Sequence, residues 1–234
     1  MRKQQRIWEE EHKNPKILPT LEHLEPSSGV IAFLGFLKNK KVTGDGKVVD
    51  IGSGKGRNAI HLAKLGYDVY CMDYVKLALD YTKAYAKKEG ISPRIHLFDT
   101  NIDSFWPFEN NFFDLAIDCF SSIDIETEDG RNIYKSELRR TLKPGGYGII
   151  MVVSSDDEIE KKLIKTSPGK EPNSSIWPGT GKFQKNYDES EVRRFYKDFE
   201  ILQLKEIKKQ AFKLGEHYKA TNISVILRKP YDKS

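Results

Sequence analysis

Residues 47–58 read KVVDIGSGKGRN, and the order of residue types within them decides the architecture. Val48, Val49 and Ile51 form an apolar β-branched run, which favours a strand. The run breaks into glycines at alternate positions, Gly52, Gly54 and Gly56, and then into a helical apolar pattern over 57–65. A strand, a tight turn and a helix follow. Glycine accepts positive φ and lets a ligand approach the backbone, so this loop is built to wrap around something. Asp50 sits two residues before the first glycine, where a carboxylate invites a positively charged ligand group. The spacing is GxGxG. A dinucleotide loop would need its third glycine where Arg57 stands, which argues against NAD. A second apolar run, 68–72, ends in Asp73, and an acid at that strand tip can take ribose hydroxyls.

Further along, strand and helix patterns alternate. Residues 75–89 have helical spacing and stop at Gly90, 94–98 read as a third strand closed by Asp99-Thr100-Asn101, and FFDLAIDCF (112–120) is an apolar run suited to a strand buried on both faces. Asp118 interrupts that run near its C-terminal end, where open parallel sheets place their ligands. A helix over 131–142 ends in Leu142-Lys143-Pro144-Gly145-Gly146, a glycine-rich turn before a fifth strand at 147–153. This alternation predicts an α/β fold: a Rossmann-like, mostly parallel seven-stranded sheet with helices on both faces, completed by an antiparallel pair from 199–207 and 221–227.

At these residues the chain resembles the class I S-adenosylmethionine-dependent methyltransferases, whose first motif is an acid followed by GxGxG with an acid closing the second strand. Within them, GRNAIHLAKLGYDV, LKPGGY and VRRFYKDFE are similar to the small-molecule group that includes the tellurite-resistance and thiopurine-type enzymes. The resemblance covers about half the chain, 47–154. It implies S-adenosylmethionine as cofactor and in-line methyl transfer to a small-molecule acceptor. The backbone of Gly52, Ser53 and Gly54 would face the methionine part, Asp50 its ammonium, Asp73 and Tyr74 the ribose, Asp99 and Thr100 the adenine, and Asp118 and Cys119 the sulfonium. A general base is needed only for a protonated acceptor; His217, His12 and Asp118 are the candidates, and for each histidine a packing or surface role competes. His61 and His96 are expected to be structural. The tip after the fourth strand lacks the Asn/Asp-Pro-Pro-aromatic signature of amino-methylating nucleic-acid enzymes, which lowers that class.

The 234 residues, 38% hydrophobic and 31% charged, suit one soluble α/β domain, divided here into N-terminal helices or lid (1–40), cofactor core (45–154), lid-like insertion (155–188) and C-terminal helix and strand pair (189–234). The insertion is read as a short helix at 158–164 followed by a polar loop holding Trp177. Pro15 and Pro19 interrupt the N-terminal arm, whose Trp8 should dock, and Thr43-Gly44-Asp45-Gly46 forms a turn. No apolar run reaches membrane-spanning length and the first residues lack a signal-peptide core, so a cytoplasmic location is expected without membrane partners. Cys71 and Cys119 fall in strands and read as free thiols; no His/Cys cluster has zinc spacing, so no metal is expected. A net charge of +5 tolerates nucleic acid as an alternative partner, and a non-catalytic cofactor-binding protein is the second alternative. Neither the acceptor nor the oligomeric state is written in these motifs.

Overall fold

The computed structural model describes residues 3–14, 21, 23–42, 44–213 and 216–231; Pro15, Pro19 and Thr43 lie outside them. The elements run α1 (Lys3–Lys13), α2 (Ser28–Asn39), β1 (Lys47–Ile51), α3 (Arg57–Lys64), β2 (Asp68–Asp73), α4 (Lys76–Lys88), β3 (Ile95–Asp99), β4 (Phe113–Cys119), α5 (Glu128–Thr141), β5 (Leu142–Val153), α6 (Glu158–Thr166), β6 (Ser174–Ile176), β7 (Phe183–Lys185), α7 (Glu189–Phe195), β8 (Glu200–Lys213) and β9 (Glu216–Arg228). Seven strands form one sheet in the order β3-β2-β1-β4-β5-β9-β8, with β6 and β7 forming a separate pair. The first five pair in parallel, while β9 runs antiparallel between β5 and β8. This is the mostly parallel seven-stranded sheet that the sequence pattern predicts.

Strand alternation divides the core into two layers. Val49, Ile51, Ala116, Tyr134, Leu138 and Val192 belong to the layer under α5 and α7. Val48, Leu115, Ile117, Phe33, Leu62 and Leu79 belong to the layer under α2, α3 and α4. Helix starts are chemically marked. Thr127 accepts from Gly130 N, Asp157 from Ile159 N and Glu160 N, and Asp188 forms a reciprocal capping box with Glu191. The Thr127 cap starts α5 three residues before the expected position.

Three expectations change. The segment read as a turn before the fifth strand is part of β5: Gly145, at φ +78, donates to Lys229 O, and Lys229 N donates to Gly146 O, so the chain after β9 gives the turn a pairing partner. The C-terminal strands are longer than expected and convert most of the presumed connection 213–219 into ladder, with Phe212 opposite His217. Residues 155–188 are a structured insert rather than a polar loop. Ser155 N bonds Tyr187 O, Thr221 N bonds Asp157 Oδ2, and Glu160, fully buried, takes Ser175 Oγ at 2.6 Å and Asn186 Nδ2 at 3.3 Å. Buried polar groups are costly unless bonded; three of these bonds hold the insert together, and the one from Thr221 fastens it to β9. No helix among the described residues is long and apolar enough to cross a membrane. Cys71 and Cys119 are free thiols.

Candidate active site

At the C-terminal ends of β1, β2 and β4, where open parallel sheets bind ligands, lies a cavity of about 340 Å³. Its floor is the glycine loop. Gly52, Gly54 and Gly56 all have positive φ. A Cβ on Gly52 would lie 2.2 Å from Ser121 Oγ, so that glycine is required by packing. One on Gly54 would meet only His12 Cε1, at 3.6 Å, so that glycine is required by its φ of +54 and opens its backbone to the cavity. Gly54 N donates to Asp73 Oδ2 at 2.8 Å and Val75 N to Asp73 Oδ1 at 2.8 Å, and this carboxylate thereby joins the loop to the tip of β2.

Asp50 shares the face of Val48 on β1 and lines the cavity, and its Oδ2 is buried without a hydrogen-bond partner. Burial pushes its carboxyl up to about 7, against the pull of Arg57, with Asp73 and Asp118 adding to the rise. Asp73 rises to about 6 for the same first reason, opposed by its backbone hydrogen bonds. An orphaned buried carboxylate oxygen beside an open glycine backbone suits the ammonium of an amino-acid tail, and Asp73 with Tyr74 borders the space next to it. These residues fit S-adenosylmethionine.

The other expected site residues divide between the cavity wall and positions away from it. Asp118 has the strand parity of Ala116 and points into the α5 layer, where Tyr134 Oη donates to it at 2.7 Å, Ser121 N at 2.8 Å and Ser122 N at 3.2 Å. It does not line the cavity. Its work is positional: it fixes the turn in which Phe120, a non-glycine residue at φ +71, is held in the left-handed region with its ring on the cavity. Cys119 and Ser53 do line the cavity. Asp99, at the tip of edge strand β3, is exposed, and Asp99 and Thr100 lie outside the cavity wall; Ile102 borders it there. His217 is exposed on the outer parity of β9, against Phe212, while Tyr218 on the inner parity lines the cavity. His12 is different: 4% exposed, it lines the cavity with an unpartnered Nδ1, and burial with Lys55 nearby lowers it to about 4, so the ring is neutral. His96 stacks on Tyr70.

The roof comes from three separate elements. Trp8 and His12 lie four residues apart on one face of α1. Lys182, between β6 and β7, is 3% exposed; its Nζ is 3.0 Å from Asp124 Oδ1 and lies over the rings of Trp177 (4.0 Å) and Trp8 (4.5 Å). Gln4 acts as a strand partner for β7, donating to Phe183 O at 2.9 Å and accepting from Phe183 N at 3.0 Å, and it also donates to Asp124 O. The inner stripe of the β8–β9 hairpin, Tyr218, Ala220 and Asn222, completes the wall. Lys182, Gln184 and Asn222 carry no mark in the sequence; only the extended strand parity, once known, points to Asn222.

Residues 48–146 match the family described as a methyltransferase domain. The chain is 26% identical over 177 residues to the probable S-adenosyl-L-methionine-dependent methyltransferase TehB of Haemophilus influenzae, covering 76% of this chain and 54% of that protein. It thus spans about half the length of the curated relative. A SAM-dependent methyltransferase from Methanosarcina mazei superposes with a TM-score of 0.74 at 21% identity, over 84% of this chain and 98% of that one. A Burkholderia thailandensis 1,6-didemethyltoxoflavin-N1-methyltransferase, solved with 1,6-didemethyltoxoflavin and S-adenosylhomocysteine, gives 0.62 at 16% identity, over 87% and 79%. Sheet order, glycine loop and matched stretch agree: residues 48–146 match a methyltransferase domain, and the chain is similar to the class I S-adenosylmethionine-dependent methyltransferases, TehB among them.

Proposed function

We propose that the protein transfers the methyl group of S-adenosylmethionine to a small molecule. The observation that carries this reading is the buried, unpartnered Asp50 Oδ2 beside the open backbone of Gly54, in the same cavity as Asp73 and Phe120. When bound, the cofactor supplies a methyl group already activated on a sulfonium. The chain's residues then have to bind, orient and exclude water. Asp50 holds the ammonium, the Gly52–Gly54 backbone the carboxylate end, and Asp73 with Tyr74 the ribose. Phe120, fixed by Asp118, presents a ring that favours positive charge. In this reading Ile102 and Tyr74 border the adenine, with Asp99 at the exposed tip of β3 beyond them. His12, neutral and unpartnered, is the residue placed to accept a proton from a protonated acceptor; His217 and Asp118 are not. A roof of Trp8, Lys182 and Trp177 over the cavity favours an acceptor small enough to be enclosed. TehB and the toxoflavin methyltransferase, a small-molecule enzyme, support the same class.

Calorimetry with S-adenosylmethionine and S-adenosylhomocysteine tests this. Wild type should bind both at about micromolar Kd. Asp73→Ala strips a charged acceptor from Gly54 N and Val75 N as well as from the ligand, and should weaken both by about 100-fold, roughly 3 kcal/mol. Absence of binding to wild type overturns the reading.

A further inference from the structure

The roof half of the cavity holds a polar group that the floor does not need. Asn222 is 6% exposed and lines the cavity, and its carboxamide makes no hydrogen bond among the described residues. Its polar atoms open into the cavity instead of being sealed in the protein, so a ligand entering there can take them in place of water. Its place follows from the register: Asn222 on β9 pairs with Val153 on β5, two strands beyond β4, or about 10 Å from the Cys119–Phe120 tip at the usual strand spacing. The groups assigned to the cofactor stand on β2, β1 and β4, so Asn222 faces what lies beyond it.

The surroundings narrow the ligand's chemistry. Trp8, partly exposed, borders the space with its indole, and Lys182, held between that ring and the buried Trp177, supplies an ammonium whose charge Asp124 shares. A carboxamide offers one donor and one acceptor side by side, the complement of a ring –NH–C=O edge, just as Asn pairs with base edges. We propose that this roof subsite binds a flat nitrogen heterocycle whose lactam edge pairs with the Asn222 carboxamide, with Lys182 beside it. This rests on the methyltransferase reading of the same cavity and names the class of its acceptor.

A matched ligand pair tests it. Lumazine, a flat bicycle with ring lactam edges, and 1,3-dimethyllumazine, whose pyrimidine N–H groups are blocked, are titrated into the full chain with and without saturating S-adenosylhomocysteine. Lumazine should bind wild type at least tenfold more tightly than its dimethyl analogue. Asn222→Leu should abolish that preference and weaken lumazine at least tenfold, with the S-adenosylhomocysteine Kd within about twofold of wild type. Equal affinity for the two lumazines overturns the proposal even if the Leu variant fails to fold, because that comparison needs wild type alone. So does tellurite or a simple thiol binding where lumazine does not. Asn222-dependent lumazine binding without any S-adenosylhomocysteine binding would instead sink the cofactor reading and leave the subsite standing.

Discussion

The floor and the roof of the cavity are built by opposite means. The floor is local and stiff: a loop whose glycine conformations are required by φ or by packing, tied to the next strand by Gly54 N to the Asp73 carboxylate and Ser53 N to Met72 O. The roof is assembled from α1, the insert and the β8–β9 hairpin, and its fastenings are polar. The buried side chains of α1 are Gln4, Glu11 and His12, and Gln4, Trp8 and Lys182 make the closing contacts. Apolar burial resists water at all times, whereas polar contacts compete with water as soon as they part. A floor fixed by backbone conformation and packing holds one ligand in one way; a roof joined by polar contacts can open and be respecified without disturbing it.

That contrast can be broken by experiment. Lys182→Met keeps much of the side-chain volume but takes the cation from between two indoles and from buried Asp124, and should lower the unfolding free energy by about 2–3 kcal/mol in denaturant titrations. Its S-adenosylhomocysteine affinity should stay within about twofold of wild type. A loss of cofactor affinity as large as that of Asp73→Ala would show that the two halves are one unit.

The second test uses pH. Asp50 sits at about 7 in the fold against an ordinary 3.8, so the ligand-free folded protein holds this proton more tightly than the unfolded chain does. Its contribution to stability is therefore full below about pH 4 and is lost as pH rises through about 7. Affinity for a ligand ammonium runs the other way, falling about tenfold, or 1.4 kcal/mol, per unit as pH drops below about 7. Asp50→Asn should remove the part of both slopes centred near pH 7 and leave only that of Asp73, which rises to about 6, with Arg57 as the neighbouring cation. A pH-independent Kd in wild type would remove Asp50 from the floor.

The smallest expected effect belongs to Gln4→Leu. It deletes the side-chain bonds to Phe183 and Asp124 O and should cost about 1 kcal/mol in global stability. Fluorescence of Trp8 should shift toward that of a solvated indole while cofactor binding persists. A variant with unchanged Trp8 emission would show that α1 is held by something other than these contacts.

The same division governs how much of the molecule is legible in its residues. The strand, loop and acid of residues 47–58 are visible because turn chemistry and strand-ending acids act over a few positions, and so the fold follows from them. Asp118 misleads because FFDLAIDCF is apolar on both parities, and only the pairing with β5 and the Tyr134 contact reveal which side the acid takes. Asp99 shows the other limit: an acid at a strand tip looks the same at an edge, where Asp99 stands, as in the middle of a sheet. The roof has no local signature: Lys182 acquires its role from Trp8, 174 positions earlier, and Asn222 from a hairpin whose length its polar residues conceal.

The Gln4 clamp also makes one atom pair a clock. Phe183 N–H is closed by a side-chain carbonyl of α1, not by a neighbouring strand. Its exchange with deuterated solvent therefore counts the departures of that helix, and a single resonance, followed with and without ligand, times the opening of the whole roof.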